Sequence, residues 1–471
     1  MPDTLLMTSI EHYCYMLEKK TMLPIKAVVL QHGSNKEIAE KLKRQNLKSD
    51  IPCFGSRDLD CICTEPELRV DVNERHTLTT TILNSCIPFF LLDRSRGRFP
   101  ATNFLQAHRI DSIIGRSIHI LKQFTIERII SCSTPHAIEF YVFAKVAELL
   151  GIKVLIVETS PILHRYWHLE GLGPRVDREK STATLVDVDR PITHRTLEFI
   201  SKLQSPGSSH EKLDLEVQMK NYKSLTPDVM SELRANWAKL LLRPHLVFHM
   251  VKKVRLVKIY ESLCTKNINL KRPYIIYFLH YQPERTSLPE GGIFVFQHLA
   301  IRLLAEKIPE GWKVYVREHP STWIRDIGVT ARDSNYYNTL SRMTNVSLVG
   351  MDVSTNGLID NARAVATLTG KVGIQAIFRG KPAIAFGKAS YYQHPLCYSV
   401  TTVEDLERAL ACIQADESSA GEKRLQLEEY LRWIESVSTE APATGANITS
   451  ELARFEGLRA HITQILESPS I

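Results

Sequence analysis

Long apolar runs are missing from this chain of 471 residues. None approaches the roughly 18–20 uncharged residues that a helix needs to cross a bilayer, so a membrane-spanning protein is not expected. The first residues, MPDTLLMTSIEHYCYMLEKK, lack a basic start followed by an apolar core. No secretory signal is therefore expected, and the expected compartment is the cytoplasm. Cysteines in paired patterns are missing too. The nine present (Cys14, Cys53, Cys61, Cys63, Cys86, Cys132, Cys264, Cys397 and Cys412) are odd in number and scattered. That is the pattern of reduced thiols, not of a disulfide framework. Cys61 and Cys63 form a CxC with no second pair at finger spacing, so zinc is not expected. Internal repeats and low-complexity tracts are absent, which excludes collagen-like and mainly disordered chains. A large excess of one charge is absent as well: 59 Lys and Arg against 52 Asp and Glu leave +7. That excess is too mild to imply nucleic acid, and no RNP, KH or helix-turn-helix pattern stands out. It fits an anionic substrate such as a nucleotide sugar, or an anionic membrane surface.

What is present is ordinary globular composition, 44% hydrophobic and 24% charged. At roughly 100–200 residues per domain the length suggests two to four domains, with ample core. Lys26–Gln31 (KAVVLQ), Glu127–Ser131 (ERIIS) and Lys153–Val157 (KVLIV) read as strands. A helix from about Ala137 to Leu150 lies between the last two, with Gly151 at its C-terminal cap position. This is a βαβ unit, hence parallel strands. SPGSSH at 205–210 reads as a linker. HLVFHMVKKVRLVKIY, from His245 to Tyr260, reads as a basic amphipathic helix. Its structural reading is one buried stripe and one solvated basic face; its functional reading is contact with an anionic membrane. A second α/β block starts at Pro273, with strands at Tyr274–Leu279, Lys313–Arg317, Val346–Val349, Ala364–Leu368 and Ala383–Phe386. Helices are expected over Phe294–Lys307, Gly373–Arg379 and Thr402–Ala415. The expected organisation is an N-terminal domain over 1–215, a helical linker over 216–270, a C-terminal domain over 271–420 and terminal helices over 421–471. Two doubly wound domains would face a cleft, the default ligand site.

Three loops at predicted strand ends are more polar than core packing requires. The first holds His280, Gln282, Glu284 and Arg285, a set able to bind a sugar or phosphate. The second is Arg317-Glu318-His319-Pro320. There the proline stiffens the turn after an imidazole able to donate to phosphate or transfer a proton. The third is Thr369-Gly370-Lys371-Val372-Gly373-Ile374-Gln375-Ala376. A helix start with open amides suits an anion; a glycine kept for close packing is the structural alternative. The spacing matches neither the Walker loop nor the dinucleotide GxGxxG.

The ordered set LHYQPE, GGIF, REHP, TGKVGIQA and GKPAIAFGKASYY, from about Tyr274 to Tyr392, resembles the capsule polysaccharide biosynthesis family, which includes bacterial Kdo transferases. The segment from Cys132 through Ile152 resembles the family's first domain more loosely. The resemblance implies a GT-B-like α/β fold, two Rossmann-like domains facing an interdomain cleft. It implies glycosyl transfer from a nucleotide-sugar donor held mainly by the second domain, with CMP-Kdo or a related CMP-linked acid sugar preferred. The acceptor would be a glycan or glycolipid. No cofactor and no dedicated metal site are implied. His319 and Pro320 would hold the cytidine monophosphate, and Thr369–Gly373 its phosphate. Two residues depart from the family pattern: Lys371 replaces a small hydroxyl residue, and Gln375 replaces the Glu of GxEA. Gln375 can still bond a ribose, and Lys371 adds a cation. His319 would assist the leaving group. His136, Glu139 and Glu158 are the acceptor-side candidates for a base or charge stabiliser. His280, Gln282, Glu284, Arg285, Arg317 and Glu318 are candidate substrate contacts. Two other readings stay open. One is a UDP-sugar epimerase or hydrolase on the same fold. The other is a non-catalytic partner in a polysaccharide assembly complex, peripheral to the inner membrane.

Overall fold

The computed structural model describes residues 3–19, 25–30, 35–45, 51–55, 59, 71–85, 103–135, 137–162, 165–172, 191–204, 244–282, 287–324, 332–440 and 451–467. They fall into two compact units. One joins Met1–Gly173 to Trp433–Ile471, and the other is Pro174–Arg432. The linker expected at 205–210 and the CxC of Cys61 and Cys63 lie outside the described residues.

The first unit runs β1 (Thr4–Thr8), α1 (Ile10–Glu18), β2 (Ile25–Leu30), α2 (Asn35–Arg44), β3 (Cys53–Gly55), α3 (Val72–Ser85), α4 (Asn103–Gln123), β4 (Arg128–Ser131), α5 (Ile138–Leu149), β5 (Lys153–Thr159) and β6 (Arg165–Glu170). Strands β3, β2, β1, β4 and β5 are parallel in that spatial order, and β6 adds antiparallel to β5. The βαβ unit read from the sequence is β4–α5–β5. Its helix closes at Leu150, and Gly151 has a φ of 78°, the left-handed region that favours glycine. The sequence reading began the sheet at Lys26. The structure places β1 before it, at the centre. TLLMT is buried at every position and runs almost directly into α1. Three apolar residues between two threonines, without alternation, carry no periodic signature of a strand.

The second unit runs α6 (His194–Gln204), α7 (Pro244–Leu263), β7 (Tyr274–Phe278), a 3₁₀ turn (Gly292–Val295), α8 (Gln297–Lys307), β8 (Lys313–Arg317), α9 (Ser321–Ile324), α10 (Ser334–Arg342), β9 (Val346–Leu348), α11 (Thr355–Asn361), β10 (Ala364–Thr367), α12 (Lys371–Phe378), β11 (Ala383–Ala385), β12 (Cys397–Ser399), α13 (Val403–Gln414) and α14 (Ala420–Val437). The strands are parallel throughout, in the order β12-β11-β10-β7-β8-β9. Numbered within the unit this is 6-5-4-1-2-3, the dinucleotide-domain order. Both faces are covered, as a parallel sheet requires. Ile275 and Tyr277 of β7 join the cluster with Leu256, Val257 and Tyr260 of α7, while Tyr274 and Ile276 pack on the other face with Leu358 and Ala376. On α7, Arg255 and Lys258 are exposed while Leu256, Val257 and Tyr260 are buried. A buried stripe and a solvated basic face therefore share this helix. No helix among the described residues is long and apolar enough to cross a membrane.

The chain then returns to the first unit through β13 (Thr439–Glu440), antiparallel to β6, and α15 (Glu451–Glu467). Leu458, Ile462, Ile465 and Leu466 of α15 complete the core over β1, β2, β4 and β5. Each such burial is worth about 1.5–3 kcal/mol. A histidine pair accompanies this seam. His168 Nδ1 lies 3.1 Å from His461 Nε2, and Thr439 Oγ1 lies 2.7 Å from His461 Nδ1. The Thr439 hydroxyl donates to Gln464, so it accepts from His461 Nδ1–H. His461 Nε2 then accepts from His168. Protonating His461 would set two donors against each other. Burial, then the His168 charge, lowers the His461 pKa from 6.5 to about 3. Burial, then Arg454, lowers that of His12 in the same core to about 4. Histidines with depressed folded-state pKa values contribute stability that is full above the unfolded value of about 6.5 and is lost as pH falls below it. The first unit is therefore expected to lose about 1–2 kcal/mol per pH unit between pH 6 and 5. His461→Gln is expected to flatten that slope in urea unfolding followed at a series of pH values. A slope unchanged in the variant would contradict this assignment.

Candidate functional site

In the second sheet the chain order reverses between β7 and β10, and ligands of open α/β sheets sit beyond the strand ends at such a point. Three of the loops flagged in the sequence emerge there or next to it. They are His280–Gln282 after β7, Glu318–Pro320 after β8, and Leu368–Gly370 after β10. Residues 283–286, which include the candidates Glu284 and Arg285, lie outside the described residues.

One buried network ties the first two loops together. The Arg332 guanidinium, 2% exposed, donates from Nε to Glu318 Oε2 at 2.9 Å, from one terminal nitrogen to Gln282 Oε1 at 2.9 Å, and from the other to the His280 carbonyl at 2.8 Å. It also stacks on Tyr336, 4.5 Å from the ring centroid. Glu318 Oε2 accepts from the Tyr337 hydroxyl at 2.7 Å; Oε1 accepts from the Thr322 hydroxyl at 3.1 Å and the His319 amide at 2.8 Å. The Glu318 amide donates to Tyr260 Oη, whose hydroxyl donates to the Val349 carbonyl. Gln297, at the start of α8, accepts from the His280 amide and donates to the His280 carbonyl and to Gln282 Oε1. Burial pushes the Tyr260 and Tyr337 phenols far above their ordinary range, so both remain donors. Burial would lower the Arg332 pKa, but Glu318 outweighs it and the balance is upward. Arg317 bonds Thr355 Oγ1 and the Met351 carbonyl. Of the substrate contacts expected from the sequence, Gln282, Arg317 and Glu318 are thus buried and bonded within the protein.

His319 is different. It is half-buried, and its Nδ1 accepts from the Ser321 amide at 3.0 Å. The neutral ring therefore carries its proton on Nε2, which makes that atom a donor. Tyr281 flanks it at 5.5 Å between centroids. His280 takes the opposite tautomer: Nε2 accepts from the Thr369 amide at 3.3 Å, tying the β10 loop to the β7 loop.

The third loop starts α12. Gly370 is its N-cap and supplies no side-chain cap. The amides of Lys371 and Val372 have no hydrogen-bond partner among the described residues. Such amides carry partial positive charge along the helix axis. The Lys371 side chain is exposed and makes no ion pair among the described residues. Gln375, one turn on and on the same helix face, makes no side-chain hydrogen bond among them. The helix starts two residues earlier than the sequence reading placed it, so Lys371 and Gly373 sit in its first turn. The glycines have a packing cause. Tyr391 donates its hydroxyl to the Gly370 carbonyl at 2.8 Å, and a Cβ on Gly373 would fall 2.0 Å from that hydroxyl oxygen. A Cβ on Gly370 would meet Thr367 Oγ1 at 2.9 Å and His280 Nε2 at 3.0 Å.

The acceptor-side candidates belong to the first unit. Glu139, on the first turn of α5, pairs with Arg109 at 3.3 Å; both are buried. Glu158 is a buried residue within β5, opposite Trp167 of β6. His136 lies outside the described residues.

Comparison with known proteins follows this geometry. Residues 266–407, from just before β7 to within α13, match the family described as capsule polysaccharide biosynthesis protein. The match lies within the second unit. No curated protein matches the chain. Similar solved structures include UDP-GlcNAc 2-epimerase from Methanocaldococcus jannaschii, 12% identical, covering 91% of this chain and 100% of that one at a TM-score of 0.26. They also include the β-Kdo 2,7 transferase KpsC of Thermosulfurimonas dismutans, 10% identical, covering 83% and 97% at 0.29. The β-Kdo 2,4 transferase of the same KpsC is 13% identical, covering 71% and 87% at 0.29.

The matched segment holds the site residues described in the second unit except Tyr260, which precedes it on α7. Sequence reading passed over Arg332, Tyr260, Tyr337 and Gln297, and it quoted Tyr391 within a motif without giving it a role. Arg332 and Gln297 lie 14 and 17 positions from Glu318 and His280, and Tyr260 lies 58 from Glu318, so no local pattern marks them. A polar residue inside an apolar helix stripe, as at Tyr260, was the one available signal. Gly373→Ala is expected to cost about 2 kcal/mol through overpacking against Tyr391. Calorimetric melting of the variant checks this, and Tyr391→Leu should make the substitution better tolerated. Equal stability of Gly373→Ala and the parent would show that the Tyr391 loop yields freely.

Proposed function

We propose that the chain is a glycosyltransferase of surface polysaccharide synthesis that uses a nucleotide-activated sugar. The observation that carries this reading is the start of α12. Two helix amides and a lysine without a partner among the described residues stand at the switch point of a sheet with dinucleotide-domain order, inside the segment that matches the capsule polysaccharide biosynthesis family. This is the chemistry that a leaving nucleoside phosphate needs, because negative charge grows on it as the glycosidic bond breaks. In this reading the Lys371 and Val372 amides and the Lys371 ammonium take the phosphate, with the Thr369 hydroxyl and Gly370 beside them. His319 donates from Nε2, Pro320 stiffens its turn, and Gln375 reaches the ribose. His280 holds the phosphate loop through Thr369 and does not touch the donor. The preferred donor is a CMP-linked acid sugar of the Kdo type, and the acceptor is a glycan or glycolipid. On the acceptor side the candidates are Glu158, His136 and Glu139, the last paired with Arg109. No cofactor enters this scheme.

A thermal-shift panel with CMP, UDP, GDP and ADP tests it, since a ligand that binds only the folded state raises the melting temperature. CMP is expected to stabilise the protein. Lys371→Ala and His319→Ala are each expected to weaken CMP roughly tenfold, about 1.4 kcal/mol. A shift with UDP alone would transfer the reading to UDP-sugar epimerase or hydrolase chemistry. With a nucleotide-binding control in hand, no shift with any nucleotide would sink the transferase reading and leave an assembly partner without catalysis.

A further inference from the structure

We propose that Arg332 is the positioning residue of this site: it sets His319 and the β7 loop in register by keeping the Glu318 carboxylate neutralised. The proposal rests on the nucleotide-sugar reading for its binding arm only. Arg332 belongs to none of the sequence motifs, and residues 325–331 before it lie outside the described residues. Yet its three hydrogen bonds end on the loops after two different strands, β7 and β8. Glu318 is equally committed. Its amide is held by Tyr260, one carboxylate oxygen by Arg332 and Tyr337, and the other by Thr322 and the His319 amide. The peptide joining Glu318 to His319 is therefore fixed from both sides. The His319 carbonyl accepts from the Thr322 amide at 3.0 Å, and the Ser321 amide selects the His319 tautomer. Arg332 never needs to touch substrate to govern which atom His319 presents.

The charge arithmetic gives a second reason. Glu318 and Arg332 are both almost fully buried. Without Arg332, a buried carboxylate would stand one residue from the imidazole proposed to receive an anionic phosphate. That charge would oppose the ligand and favour proton transfer from neighbouring groups. Lysine keeps the charge but cannot span Glu318, Gln282 and the His280 carbonyl at once, because it lacks the planar fork.

The test uses the full chain with 15N-labelled histidine, and CMP as the probe. Parent, Arg332→Lys, Arg332→Met and Glu318→Gln/Arg332→Met proteins are compared for melting temperature, His319 ring-nitrogen shifts and CMP affinity. The parent is expected to show His319 protonated on Nε2. Arg332→Lys is expected to weaken CMP about fivefold, and Arg332→Met at least tenfold with a mixed His319 tautomer. The double variant is expected to recover affinity to within threefold of the parent, since it removes the unpaired carboxylate. Loss of melting temperature in Arg332→Met with tautomer and affinity unchanged would overturn the proposal and leave Arg332 a purely structural residue. So would a double variant no better than Arg332→Met. Where Arg332→Met does not fold, Arg332→Lys and the double variant decide by the same two readouts. A parent that binds no CMP overturns the nucleotide reading instead, and the His319 tautomer across the series still decides the role of Arg332.

Discussion

The buried pair of Arg332 and Glu318 is the constraint on which the geometry of the second unit's strand ends depends. Two charges taken out of water are tolerated only when each is fully bonded, and here each is. Removing one partner of such a pair typically costs about 3–5 kcal/mol, because the other is left charged in the interior. The consequence is rigidity where a loop would otherwise move. The strand ends of β7 and β8 become one piece, and His280 carries that piece across to β10 through the Thr369 amide.

That rigidity explains how so few groups are left facing outward. Gln282, Glu318 and Arg317 look like ligand contacts when read in line, being polar residues at strand ends. They spend their hydrogen-bonding capacity on the scaffold. Among the described residues, the first amides of α12, the Lys371 cation and the Gln375 side chain remain without a partner. Tyr391 adds a floor packed so closely that position 373 admits no side chain, while Thr367 and His280 crowd position 370. The same glycines that suggest a phosphate turn therefore have a packing explanation. The anion-binding argument rests on the open amides and on Lys371 instead.

The first unit shows a different economy. Its sheet is completed from the far end of the chain, by β13 and α15, and the seam is held by apolar residues with a neutral histidine pair at its edge. A histidine kept neutral by burial gives stability that acid removes, so this seam adds to the sensitivity of the first unit to acid. Nothing in the local sequence around His168 or His461 announces the other, since 293 residues separate them.

The sequence by itself determined the class of fold and which polar loops stand at its strand ends. Apolar strands ending in polar loops, alternating with amphipathic helices, give parallel sheets by local rules of period and capping, and the strands from β7 to β11 were legible within a residue or two. The motif residues at the ends of β7, β8 and β10 were legible for the same reason, because each lies next to the strand that positions it. The central strand β1 was not legible, since a short, fully buried run has no periodicity. Only the tertiary structure decided which of the flagged residues are internal and which remain open. A hydrogen bond between Arg332 and Gln282 spans 50 positions, and one between Tyr391 and Gly370 spans 21. Such partners are chosen by folding, which brings distant polar groups together because an unpaired buried charge or amide costs more than the order needed to pair it.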